Sequence, residues 1–298
     1  MRVSTSTLYD QGVRSMLQQQ DGMFRLQQQL SSGKRIMTPS DDPIGAARAH
    51  ELAQSISLNT QYTDNRYRAA DSLQQVDSTL GGVSNLIQSV RTMAVAAGNP
   101  AFSDSERQMM AIELRGHFDE LLGLANTRDE QGNYLFSGFQ GNTRPFEQTA
   151  NGVEYKGDQG QRLIQVSSSR QLPVSETGEA VFGPDGSNMF QTIDGFIGAL
   201  ETSGGMPDGA VSAALQELDS ALDNVLTKRA AVGSRLQEID ALQQIGEDTA
   251  IQYQQSLSRL QDLDFAQAIS DMVRQQALLE AAQKTFTRVS GLSLFNLI

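Results

Sequence analysis

Tyr62, Arg66, Ala69, Leu73, Val76, Leu80, Val83, Ile87, Val90, Ala94 and Ala97 follow one another at alternating spacings of four and three. That spacing is a coiled-coil seam, and five heptads of it demand a long helix with a partner along its length. The start is legible in Thr38-Pro39-Ser40-Asp41-Asp42-Pro43. An Asp N-cap followed by Pro43 at the first helical position satisfies free N–H groups and pre-sets φ. The stop is Gly98-Asn99-Pro100. A helix from 43 to 97 would be roughly 80 Å long at ~1.5 Å per residue.

A second segment repeats the pattern with Leu215, Leu218, Leu222, Val225, Arg229, Val232, Leu236, Ile239, Gln243, Gly246, Ala250, Tyr253, Leu257 and Leu260. Two helices of matching length in one chain pair most simply with each other. Arg229 interrupts this seam and Gln243 and Gly246 weaken it, so burial there is expected to be partial. A shorter helix opens at the capping box Ser103-Asp104-Ser105-Glu106 and runs to about Asn126, with Leu114, Phe118, Leu121 and Ala125 as its apolar face.

Residues 132–187 are rich in Gly, Asn, Asp and Pro. Asn151-Gly152 between Phe146-Glu147-Gln148 and Val153-Glu154-Tyr155 predicts a hairpin, and Leu163–Val166 a further strand. Helix is expected again over 188–201, against Gly195 and Gly198. The predicted fold is mainly α: a long antiparallel coiled-coil helical rod with paired terminal helices and a small β-rich insertion. The expected division is 1–42 with 262–298 as one discontinuous domain, and 43–261 as the other.

The two ends differ from the middle. Met16, Met23 and Leu30 recur every seven residues, with Leu17, Phe24 and Leu26 nearby, in a Gln-rich background. Ile269, Met272, Gln276, Leu279, Gln283 and Phe286 recur near the C-terminus, beside Val273. Each end reads as a weak amphipathic helix with glutamines inside its stripe, too short to offset its own ordering entropy. Paired with each other and with neighbouring copies, both become stable. Charge agrees: residues 1–43 sum to +1 and 262–298 to −1, so the whole formal charge of −12 lies in 44–261. Near-neutral ends let many copies approach one another.

Other classes fall away. The acidic balance excludes a nucleic-acid binder held by phosphate contacts. The chain has no Cys, hence no disulfide, thiol nucleophile or cysteine-ligated zinc. No apolar run suits a cleavable export signal or a membrane span, so a soluble chain secreted by another route is expected. His50 and His117 stand 67 residues apart with no metal-ligand spacing, and no G-x-S-x-G occurs. Gly152–Gly160 lacks the Lys-Ser/Thr ending of a phosphate loop. No catalytic, cofactor or metal site is expected.

Particular residues then carry a resemblance. Leu30-Ser31-Ser32-Gly33-Lys34-Arg35-Ile36 followed by Pro39-Ser40-Asp41-Asp42-Pro43 resembles the N-terminal signature of the flagellin superfamily. The tail from Gln275 through Ser293-Leu294-Phe295 resembles its C-terminal signature. Met1-Arg2-Val3-Ser4-Thr5, Ser40-Asp41-Asp42-Pro43, and Asn126-Thr127-Arg128-Asp129 with Gly132–Phe139 and Pro145-Phe146 are similar to the branch that joins hook and filament. The resemblance implies a secreted structural subunit, exported unfolded with an uncleaved N-terminal signal. Its implied partners are other copies of itself, the first hook–filament junction protein, flagellin, and an export chaperone near the C-terminus around Ile269–Phe286. Met16, Leu17, Met23, Phe24, Leu26, Leu30, Ile269, Met272, Val273, Leu279, Phe286, Leu294 and Phe295 are the expected assembly interface. The rivals are a filament flagellin and a secreted coiled-coil adhesin or effector.

Overall fold

The computed structural model describes residues 5–150, 152–203 and 206–291. Met1–Ser4, Asn151, Leu294 and Phe295 lie outside the described residues. The fold is mainly α. In chain order it runs α1 (Thr5–Ser32), α2 (Pro43–Ala97), α3 (Asp104–Ala125), β1 (Phe146–Thr149), β2 (Gly152–Tyr155), β3 (Leu163–Ser167), β4 (Arg170–Pro173), α4 (Gly178–Phe182), α5 (Met189–Leu200), α6 (Ala210–Gln261) and α7 (Phe265–Gly291). The strands form two separate antiparallel pairs, β1–β2 and β3–β4. The short α4 is a helix inside the region expected to be strands and turns.

Helix ends follow local chemistry. Asp42 Oδ1 accepts from the Gly45 N–H at 2.9 Å, with Pro43 as the first helical residue of α2. Asp41 serves the preceding turn instead, its Oδ2 accepting from the N–H groups of Thr38 (2.9 Å) and Met37 (3.2 Å). Those bonds hold the Asp41 carboxyl below its ordinary value. Ser40 Oγ sits 2.7 Å from Thr38 Oγ1. At α3 the capping box is complete: Glu106 N–H donates to Ser103 Oγ and Ser103 N–H donates to Glu106 Oε2 at 2.7 Å.

The bonds from Ser103 lower the Glu106 pKa, backbone first and hydroxyl second. A depressed carboxylate stabilises the fold above its unfolded value and loses that contribution as pH falls through its folded value. Protonation of Glu106 below the ordinary Glu range is therefore expected to release the Ser103 amide. An NMR titration should show the Ser103 amide shift moving with Glu106, and flat in Glu106→Gln.

The chain forms two compact units, 1–58 with 248–298 and 59–247. Both divisions fall inside α2 and α6, whereas the turns at 33–42 and 262–264 separate helices within the first unit. In the 59–247 unit, α2 and α6 run antiparallel. Asn59 bonds Gly246, Arg66 bonds Gln243, Arg229 bonds Asp77 and Arg91 bonds Asp219. The α2 seam is buried from Arg66 through Ala97. On α6, Leu218, Val225, Val232, Ile239 and Gly246 are buried, with the intervening seam positions half-buried. The α3 face (Leu114, Phe118, Leu121, Ala125) and α5 (Phe190, Ile193, Ile197) pack into the same core.

The irregular positions of the α6 seam have partners rather than gaps. Arg229 pairs with Asp77 at 3.1 Å. Gly246, expected to be partly exposed, is buried, because a Cβ there would collide with the Arg66 guanidinium. Gly233, in the same helix, has nothing within 4 Å of where its Cβ would lie. Gly→Ala in a helix interior ordinarily gains ~1 kcal/mol. Gly233→Ala should raise the melting temperature accordingly. Gly246→Ala should lower it, since overpacking of a core typically costs ~1–3 kcal/mol. Paired thermal melts read the opposite signs directly.

The segment 126–146 is a clasp. Asn126 Nδ2 donates to the Phe146 carbonyl (3.0 Å), and the Phe146 N–H donates to Asn126 Oδ1 (3.1 Å). The Arg128 guanidinium stacks 4.3 Å over the Tyr134 ring. Gly138 holds φ +73°, and a Cβ there would strike Asp158, whose carboxylate accepts from the Phe139 and Gly160 N–H groups. Behind the clasp, Phe136, Phe146, Phe182 and Phe190 are buried at ring spacings of 5.1–5.7 Å. Tyr155 closes the cluster, and burial pushes its hydroxyl up to about 12.

Candidate assembly surface

The 1–58/248–298 unit is organised by the antiparallel pairing of α1 and α7. Tyr9 meets Phe286 with ring centroids 4.9 Å apart, Gln275 Nε2 donates to the Gln19 carbonyl at 3.3 Å, and Phe265 lies over Gly33. Gly12 and Gly22 permit the approach: Cβ atoms there would come within 2.8 Å of Phe286 and 2.9 Å of Gln275. The half-buried residues of α1 include Gly12, Met16, Gln19, Met23, Leu26 and Leu30, again at four-three spacing. Those on α7 include Met272, Gln275, Leu279, Ala282 and Phe286, continuing from the buried Ala268.

This corrects the reading of α7. Gln276 and Gln283, expected inside the stripe, are exposed, and Gln275 is the glutamine that faces α1. The two backbones come close at Gly12 and Gly22, and further large apolar side chains lie outside the pairing face. Leu17 and Phe24, seven residues apart, are 54% and 61% exposed, and Ile269 and Val273 are 50% and 57% exposed. Tyr9, Phe265 and Leu278 share that exposure and were not singled out from sequence. The signal for Phe265 was its spacing of four from Ile269, which continues to Val273.

The turn from α1 to α2 is tied to the end of α6. Gly33 at φ +69° closes α1. The Arg35 N–H donates to the Gln261 carbonyl (2.6 Å), its guanidinium donates to the Leu260 carbonyl (2.9 Å), and the Leu263 N–H donates to the Gly33 carbonyl (2.9 Å). Ile36 is buried beneath Gly45, and Arg35 reaches Asp42 at 3.5 Å. The signature residues 33–43 therefore set the geometry that returns α1 alongside α7.

The balance of burial separates the two units. Among the described residues, only Ile36, Ala49 and Ala268 of the 39 buried hydrophobic residues belong to the 1–58/248–298 unit. Yet ten of the 18 exposed large hydrophobic residues lie there: Tyr9, Leu17, Phe24, Ile44, Leu58, Ile251, Phe265, Ile269, Val273 and Leu278. The same unit carries ten acidic and ten basic residues, so the formal −12 belongs to 59–247. A neutral surface with much exposed apolar area and little core is the pattern of a surface completed by other molecules. Among the described residues no group of three or more His, Cys, Asp or Glu could hold a metal ion, and no helix is long and apolar enough to cross a membrane. His50 is exposed, and His117 approaches only Glu120 at 3.5 Å.

Residues 3–141 match the family model described as the bacterial flagellin N-terminal helical region, so the first part of the chain is a flagellin-type helical region. A curated relative, the flagellar hook-associated protein 3 of Salmonella typhimurium, is 36% identical over 100% of this chain and 99% of its own length. A flagellin from Listeria monocytogenes is 27% identical over 99% of this chain and 96% of its own. The solved flagellar junction protein FlgL from Legionella pneumophila shares the fold at a TM-score of 0.59, with 18% identity over 74% of this chain and 100% of that one. The chain belongs to the flagellar hook-associated protein 3 family.

Proposed function

We propose that this chain is a structural subunit of the bacterial flagellum, placed outside the cell where the hook meets the filament. It joins the first junction protein on the hook side to flagellin on the other. The observation that carries this reading is the 1–58/248–298 unit, nearly without a core, neutral, and bearing most of the exposed apolar side chains. Head-to-tail contacts between identical copies, made through such a unit, generate a ring or a short helical tube. The exposed faces of Leu17 and Phe24 on α1 and of Ile269 and Val273 on α7 are the contact residues. Met16, Met23, Leu26, Leu30, Met272, Leu279 and Phe286, half-buried, hold the pair together when those faces are docked. The acidic 59–247 unit faces solvent and keeps the subunit dispersed. An export chaperone covers the α7 face before assembly, since an apolar stripe of this kind otherwise self-associates.

Deletion of the gene tests the reading. A strain lacking this chain should build hooks without filaments and release flagellin into the medium, with motility restored by the wild-type gene. Retention of attached filaments in the deletion strain would overturn the adaptor role. Growth of long filaments by the purified chain alone, from seeds, would make it a filament subunit instead.

A further inference from the structure

We infer that the polar layer formed by Asn59, Thr63, Arg66, Gln243 and Gly246 is a stop that ends the cooperative fold of the 59–247 unit, so that the 1–58/248–298 unit opens and closes without unfolding it. The apolar core reaches Ala69 on α2 and Ile239 on α6. The next layer toward the unit's boundary holds a buried charge. Arg66 is 3% exposed, and its guanidinium donates to Gln243 Oε1 (2.9 Å), the Val166 carbonyl of β3 (3.0 Å) and Thr63 Oγ1 (2.7 Å). Asn59 Nδ2 donates to the Gly246 carbonyl at 2.8 Å, and Gln243 Nε2 donates to Glu247 Oε1 at 2.9 Å. Glycine at 246 leaves the room that the guanidinium fills.

Each of these partners lies between residues 59 and 247, so opening of the terminal unit removes none of them. Fraying that travels inward along α2 and α6 meets no proline and no break in either helix before it reaches this layer. There it must strip a buried guanidinium of several hydrogen bonds at once, and an unpaired buried charge is the costly alternative. An apolar layer would yield gradually, one contact at a time. Arginine suits the task because its five donors reach three elements from one side chain, here α2, α6 and β3. A subunit built this way keeps its 59–247 unit folded while its terminal helices are free to rearrange.

Limited trypsin digestion of the full chain, with cleavage rates followed by peptide mass spectrometry, tests this. Arg48 and Arg259 are exposed on the terminal side of the layer, and Arg68 is exposed just inside it. Wild-type chain should be cut after Arg48 and Arg259 at least ~10-fold faster than after Arg68, as expected for sub-global opening. In Arg66→Leu, cutting after Arg68 should rise at least ~10-fold relative to cutting after Arg91, an exposed residue toward the other end of α2. Gln243→Leu, which removes one acceptor and keeps the charge, should shift the same ratio in the same direction by less, and it decides the matter if Arg66→Leu does not fold. Equal wild-type rates at Arg48 and Arg68 would overturn the proposal. So would a variant in which Arg68 and Arg91 accelerate together, which marks global destabilisation instead of a lost stop.

Discussion

Phe146→Ala is expected to lower the stability of the 59–247 unit by about 3–5 kcal/mol, the usual range for removing a large aromatic from a close-packed interior. Phe146 is fully buried, and its ring lies 5.1–5.2 Å from those of Tyr155, Phe182 and Phe190. It is also where the clasp closes, through the paired bonds with Asn126. Its neighbours are held by α4, α5 and β2, so the cavity cannot collapse without moving three elements. Urea unfolding followed by circular dichroism measures the loss. A change under about 1 kcal/mol would mean that the cluster repacks and that the hairpin insertion is peripheral to the core.

A second large effect is expected at the opposite kind of site. Phe24→Glu combined with Ile269→Glu should leave the melting of the 59–247 unit unchanged within ~0.5 kcal/mol, because both residues are exposed helix positions outside that unit. Assembly should fail. Burying a large apolar side chain contributes ~1.5–3 kcal/mol, and two such losses together weaken docking by about 10³-fold. A buried carboxylate in each place costs more. The measurement is incorporation of the double variant into flagella of a deletion strain, compared with wild type. Normal incorporation would remove these two faces from the interface.

The elements were legible wherever one apolar period ran uninterrupted. Pro43, Gly98 and the Ser103–Glu106 box mark helix limits because caps are local chemistry, satisfied within three residues. The α2 seam was legible position by position, down to Arg66 as one of its members. Tertiary choices were not. That Gly246 is buried depends on Arg66, which is 180 positions away in the chain and joined to it only through the fold. The face of α7 that meets α1 is not legible in the sequence, because Gln275 and Gln276 look alike there. The close approach of Gly22 to Gln275 and of Gly12 to Phe286 fixes which face of α7 meets α1 and leaves Ile269 and Val273 exposed. The short α4 escaped because its five residues carry no periodicity, and its place is fixed by Val181 and Phe182 entering the aromatic cluster. Within the terminal stripes, Met16, Met23 and Leu30, expected among the assembly contacts, are half-buried.

If assembly completes the terminal pair, the protection of α1 and α7 must change when the junction forms. Hydrogen exchange at fragment resolution, on the purified monomer and again on the assembled junction, tests it most directly. Amides of 7–32 and 265–288 should exchange much faster than those of 69–97 in the monomer, and assembly should bring them to comparable protection. Full protection of both segments already in the monomer, unchanged on assembly, would show that α1 and α7 form a finished intramolecular core, and would contradict it.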